Sequence, residues 1–84
     1  MARKMSLDHT IVNQVVRIVE ISGGWFVRQR LSQLGINVGD ILKIKRSGMH
    51  GGPVLIRVHD IDIALGLGIA HKIIVETVNV EGRN

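Results

Sequence analysis

Cysteine is absent from this chain of 84 residues, which excludes disulfide staples and thiolate metal sites and removes the usual support of a small secreted scaffold. Aromatic residues are nearly absent too. Trp25 and Phe26 are the whole complement, with no tyrosine, so a series of stacking platforms for single-stranded nucleic acid has nothing to be built from. Long hydrophobic runs are also missing. The uncharged run from Ile63 to Ala70, closed by His71 and Lys72, falls well short of the roughly 20 residues that span a bilayer. Direct membrane insertion is therefore not expected. Met1, Ala2, Arg3 and Lys4 lack the apolar core of a signal peptide, and a cytoplasmic location follows as the expectation. Catalytic signatures are wanting as well. There is no Ser-His-Asp order, no P-loop and no glycine fingerprint in a strand-helix setting, and Gly66-Leu67-Gly68 alone is weak support for phosphate binding, so the chain reads as a non-enzyme.

What the chain has is aliphatic residues: 45% of it is hydrophobic, nearly all Ile, Val, Leu and Ala. One small domain spanning 1–84 is expected. A chain this short buries only about 60 to 65% of its unfolded surface, so its stability has to come from a dense aliphatic core. The formal net charge is +4, which suits an acidic partner. The cations are spread along the chain, with Lys43, Lys45 and Arg46 the one cluster, and that cluster reads as the solvated face of a strand. Nucleic acid is not expected as a partner.

The stretch from Leu31 to Asp40 carries the most local information. Val27, Leu31 and Leu34 fall on one helical face, and the helix is expected to stop at Leu34, with Gly35 in the left-handed position after it and Ile36 folding back onto Leu31. Asn37 to Asp40 then predicts a type II turn, with Gly39 supplying the positive φ. Ahead of this, Met1 to His9 reads as a loose polar start. Val12 to Ile21 reads as a strand in which the odd spacing of Arg17 and Glu20 calls for a bulge or for burial on both sides. Ser22 or one of the glycines after it is expected to cap the helix near Trp25.

Beyond the turn, Ile41 to Arg46 alternates as a half-buried strand, and Ser47 to Pro53 is a glycine-rich loop. Val54, Ile56 and Val58 share a face, and a reversal at Asp60 leads into Ile61, Ile63 and Leu65 as a hairpin. One helical turn of 3₁₀ type is expected around Ile69, then a last strand from Ile73 to Val80, then a polar tail from Glu81 to Asn84. About five short strands with one helix after the first strand and a one-turn helix before the last suit a small closed or partly closed barrel, mainly β.

Several linked motifs point to a family. Gly-Gly-Trp-Phe-Val-Arg-Gln-Arg-Leu-Ser-Gln-Leu-Gly-Ile-Asn-Val-Gly-Asp, the loop ending Gly-Gly-Pro, and Ile-Ala-Leu-Gly-Leu-Gly-Ile-Ala-His-Lys-Ile resemble the ferrous iron transport protein A (FeoA) family over about residues 12–78. The resemblance implies an SH3-like barrel and a small cytoplasmic protein that assists FeoB, the ferrous iron transporter with an amino-terminal GTPase domain. The same module forms the C-terminal domain of diphtheria-toxin-repressor-type metalloregulators, so a metal-responsive regulatory domain is the alternative function. Two positions depart from the family pattern: Val38 stands where proline is common before the turn glycine, and Gly52 stands where many members carry an acid.

No cofactor is expected. His50, His59, Asp60 and Asp62 have ferrous-compatible chemistry, but His59 and Asp60 as neighbours on a strand would face opposite ways, and aspartates at a hairpin are common for backbone reasons. No intrinsic metal site is assigned. The expected contact surface with the FeoB GTPase region comprises Trp25, Phe26, Arg28 and Arg30 at the helix start, with Met49 and His50 on the glycine-rich loop, because Trp and Arg are favoured at binding hot spots and Met adapts to partner grooves. A plug at one end of the barrel suits Trp25 or Phe26 equally well at this stage, and weak self-association is left open.

Overall fold

Alternation of aliphatic and polar residues organises the chain into strands that each present one face inward. The computed structural model describes residues 3–78; Asn79, Val80 and the tail from Glu81 to Asn84 lie outside the described residues. Six strands form one antiparallel sheet: β1 (Lys4–Ser6), β2 (Val15–Ile21), β3 (Ile41–Arg46), β4 (Val54–Val58), β5 (Ile61–Leu65) and β6 (Ile73–Thr77). Their order across the sheet is β1-β6-β2-β3-β4-β5. A 3₁₀ turn, Leu7–His9, follows β1, while helix α1 (Gly24–Gln33) joins β2 to β3 and the single turn α2 (Leu67–Ala70) joins β5 to β6. The sheet curls around one aliphatic core, in which Val16, Ile18, Leu42, Ile44, Val54, Ile56, Ile73 and Val75 are all fully buried.

The bulge in β2 resolves the odd spacing of its charges. Pairing with β6 shifts register between Ile18 and Glu20, so Arg17 and Glu20 both face solvent while Ile18 and Ile21 both enter the core. The helix stop forms as the sequence predicts. Gly35 has φ +83°, its N–H donates to the Ser32 carbonyl and the Ile36 N–H donates to the Leu31 carbonyl, both at 2.9 Å. This is the full two-bond Schellman arrangement, with Ile36 and Leu31 both buried beneath it. The following turn is closed by the Asp40 N–H on the Asn37 carbonyl at 3.1 Å, with Gly39 at φ +99°. Asp40 Oδ2 accepts from the Asn37 N–H at 2.7 Å, which holds the turn without a proline at position 38.

Several expectations are corrected. Among the described residues there are six strands where about five were expected, because Lys4–Ser6 pairs with Glu76, Val75 and Ile74, and Leu7 just after it is completely buried. The segment from Lys4 to His9 is thus part of the fold, and α1 follows the second strand. The strand expected from Val12 begins at Val15; Ile11 to Gln14 is a turn with Asn13 at φ +73°. Ser22 does not cap α1. Its N–H and its hydroxyl both donate to the Lys72 carbonyl, at 2.8 and 3.2 Å, and the cap falls to the other expected candidate, a glycine: Gly23 at φ +97° is the N-cap. Leu34, expected inward, is 49% exposed as the C-cap residue. The one-turn helix is α in type, with Ala70 N–H on the Gly66 carbonyl and His71 N–H on the Leu67 carbonyl, both 2.9 Å.

Candidate interaction surface

Helix α1 is held to the barrel by few side chains. Leu31 is buried and Val27 is half-buried, while every other residue of the helix is exposed. The close approach at its start depends on Gly23, since a Cβ there would lie 2.7 Å from Val27 Cγ2 and 3.0 Å from Lys72 Cδ. With Val27 and Leu31 inward, the helix turns Trp25 and Phe26 to solvent, 64% and 80% exposed, their ring centroids 5.9 Å apart and tilted by 53°. The plug arrangement is therefore not what the chain adopts. Arg28 and Arg30 are exposed on the same helix, which contains no acidic residue. None of the ion pairs of the described residues involves either arginine.

The glycine-rich loop is pinned at its base and displayed at its tip. Ser47 Oγ donates to the Thr10 carbonyl at 2.9 Å and accepts from the Met49 N–H at 3.0 Å. Gly48 is wedged so tightly that a Cβ would meet Leu67 Cδ2 at 2.7 Å and Val54 Cγ2 at 2.8 Å. The Gly51 N–H closes a turn on the Gly48 carbonyl at 3.0 Å, which leaves Met49, 61% exposed, and His50 outward at the apex. The fold brings Trp25 and Phe26 together, and Met49 and His50 together. No hydrogen bond or ion pair among the described residues joins the two patches.

Of the four residues weighed as metal ligands, His59 and Asp62 are engaged by other side chains, while His50 and Asp60 are exposed on separate turns. His59 and Asp60 are not strand neighbours facing opposite ways, as expected; they are the two central residues of the β4–β5 turn, at φ +52° and +65°, a mirror-image turn that usually takes Asn-Gly. His59 Nε2 lies 3.3 Å from Asp40 Oδ1. Asp62 accepts from Arg57 Nε at 2.7 Å and from Nη2 at 3.2 Å, and that guanidinium holds its carboxyl below the ordinary value of 3.8. Among the described residues no three His, Asp or Glu side chains converge.

One polar cluster had no signal in the sequence. Asp8 Oδ2 lies 3.3 Å from His71 Nδ1, and Ser6 Oγ lies 3.1 Å from His9 Nδ1. Burial pushes the Asp8 carboxyl up, but Ser6, His71 and the local backbone outweigh it and leave it below its ordinary 3.8. The partners are 63 residues apart in the chain, and they meet where the 3₁₀ turn after β1 packs against α2. None of the described helices is long and apolar enough to cross a membrane.

A six-stranded antiparallel sheet curled round an aliphatic core, with one helix between β2 and β3 and a single helical turn before β6, defines a small SH3-like domain. Its family is now plain: the FeoA domain profile matches residues 5–77, and the chain belongs to that family. It is 41% identical over 69 residues, 82% of each chain, to a protein of Methanocaldococcus jannaschii that bears the provisional name Fe(2+) transport protein A. Among solved structures it resembles an iron uptake regulatory protein (FeoA), with a TM-score of 0.81 and 26% identity over 90% of this chain and 99% of that one. A manganese-dependent transcriptional repressor shares the fold at a TM-score of 0.81 and 15% identity, over 93% of this chain and 44% of the repressor.

Proposed function

We propose that this chain acts as a small cytoplasmic accessory protein of ferrous iron uptake that docks on the GTPase region of the transporter FeoB. In this reading it carries out no chemistry of its own and modulates the activity or assembly of the transporter. The observation that carries it is the outward face of α1. Trp25 and Phe26 stand 64% and 80% exposed beside Arg28 and Arg30 on a helix without an acid, a combination that serves burial against a partner and contributes little to the fold. Met49 and His50 supply a second contact on the pinned loop. Arginine can pair bidentately with partner carboxylates, and the family supplies the partner class.

A domain of this size offers an interface at the small end of the range, for which a micromolar Kd is the expected order. The test is a titration of the purified chain against the soluble GTPase region, with nucleotide turnover followed in parallel. Paired Arg28→Glu and Arg30→Glu changes should weaken binding by about tenfold or more, on the order of 1.4 kcal/mol, through like-charge contact, with the circular dichroism spectrum unchanged. A folded double variant that binds as tightly as the parent refutes the surface. A parent that does not bind refutes the function.

A further inference from the structure

The two edges of the sheet are unlike. One edge, β1, is three residues long and carries Lys4, a short and charged edge of the kind that resists pairing with another chain. The other edge, β5, reads Ile-Asp-Ile-Ala-Leu, pairs with β4 along its whole length without a bulge, and has no strand on its far side among the described residues. It contains no lysine, no proline and no glycine. Its one charge, Asp62, is neutralised by Arg57.

The geometry of the hairpin says which groups are open. A two-residue turn at His59 and Asp60 makes Val58 and Ile61 the first hydrogen-bonded pair, so along the antiparallel ladder the N–H and C=O groups of Asp62 and Ala64 are the ones that face away from β4. The C-terminal half of this edge opens onto a cleft of about 190 Å³, walled on one side by Ala64, Leu65 and Ile69 and on the other by Arg30, Leu31 and Leu34 of α1. The cleft is thus an apolar floor beside a free strand edge with a guanidinium at its rim.

We infer that β5 and this cleft form a binding site for an extended acidic peptide segment, which adds as a seventh strand on Asp62 and Ala64 and seats an apolar side chain between β5 and α1. Main-chain pairing gives such a site its affinity and the cleft gives it selectivity. The acidic character follows from the surroundings. Arg30 at the rim and Lys45 and Arg57 on the neighbouring outer face outnumber Asp60 and Asp62 by one, and the chain carries +4 overall. This site shares Arg30 with the helix-face contact proposed above, but it uses neither Trp25 nor Phe26 and does not require that contact.

The probe is a blocked heptapeptide alternating glutamate and valine, with the lysine-valine peptide as its control, and the readouts are amide chemical shifts and hydrogen exchange on the full chain. The acidic peptide should slow exchange at Asp62 and Ala64 by about tenfold or more at saturation, while the basic one should leave it unchanged. Ala64→Pro removes an outward N–H that β4 does not use, a position where a strand edge tolerates proline, and should abolish the effect. Arg30→Glu should weaken binding several-fold, whereas Arg28→Glu, which belongs only to the helix-face contact, should leave it within about twofold. Shifts confined to Trp25 and Phe26, equal binding of the two peptides, or undiminished binding by a folded Ala64→Pro variant overturns the inference. So does slow exchange at Asp62 and Ala64 in the free monomer, which means the edge is already paired, or concentration-dependent protection there without peptide, which makes a second copy the occupant. Should Ala64→Pro fail to fold, the exchange readout on the parent and the Arg30 and Arg28 variants still decide the matter.

Discussion

Gly35→Ala probes the device that ends α1 and so sets where its exposed face lies. At φ +83° an added Cβ meets no atom within 4 Å, so the cost is confined to the backbone. An L residue with a side chain in the left-handed region is penalised by about 1 to 2 kcal/mol, of which a few tenths are offset by the narrower unfolded ensemble of alanine. A net loss of about 1 kcal/mol lowers the melting midpoint of a domain this size by roughly 4 to 8 °C.

Three companions make the reasoning testable by rank. Gly35→Asn should recover most of the loss, since asparagine visits the left-handed region readily. Gly23→Ala has both a positive φ and a Cβ 2.7 Å from Val27 Cγ2, so overpacking adds about 1 to 3 kcal/mol to the backbone term. Gly68→Ala sits in α2 with no atom near its Cβ and no positive φ, and should be neutral or stabilising by up to about 1 kcal/mol. Denaturant melts of the four variants give the order directly. If Gly35→Ala melts with the parent, or Gly35→Asn falls as far as alanine does, the conformational account of the stop is wrong.

Three more outcomes follow from the side chains. Asp8 and Asp62 are both held below 3.8; a carboxyl depressed in the folded state contributes stability that is fully present above its unfolded pKa and is lost as pH falls through the folded value. Acid melts should therefore lose stability below about pH 4, and Asp8→Asn and Asp62→Asn should each flatten that acid limb; limbs that superimpose on the parent refute the assignment. Trp25, being largely exposed, should emit at nearly the same wavelength folded and in urea, and a clear blue shift in the folded state would place the indole in the core. Anaerobic calorimetry with ferrous or zinc ions should show weak binding, because no set of three or four ligands is preformed among the described residues. A stoichiometric submicromolar site that disappears in His59→Ala would favour a metal-responsive role.

What could be read in advance was what the chain encodes locally. The Leu31 to Asp40 stretch holds its stop and turn in glycine positions and apolar spacing, and both formed as written. Arg17 and Glu20 called for a bulge or for burial on both sides because a strict two-residue period could not accommodate them, and the register shift after Ile18 is the bulge. The misses share a different cause. Lys4–Ser6 is too short to show a period and becomes a strand because β6 offers it an edge. Whether Ser22 or a glycine after it caps α1 was open in the sequence, and the bond of Ser22 to the Lys72 carbonyl, a partner 50 residues away, left the cap to Gly23. His59 lacks the Asn-Gly signature of its turn, and its contact with Asp40 exists only because β3 lies beside β4. Long-range geometry decided each of these, and single-residue propensities are silent on it.

Exposure of Trp25 and Phe26 was equally undecidable from spacing, and physical bookkeeping of area shows why it matters. The barrel shares its fold with a repressor at 15% identity, so the fold demands aliphatic inward positions and little else; two outward aromatic rings add almost nothing to it. Each ring offers about 150 to 250 Å² when fully covered, and at about 25 cal/mol per Å² the portions left open here represent roughly 3 kcal/mol of gross hydrophobic gain apiece. That gain is realised only when a partner covers them. Arg28 and Arg30 act differently, since exposed cations contribute less to affinity than to the choice of an acidic over a basic surface. In the docking proposed above, the aromatic pair therefore sets how tightly α1 would hold a partner, and the arginines set which partner it would hold.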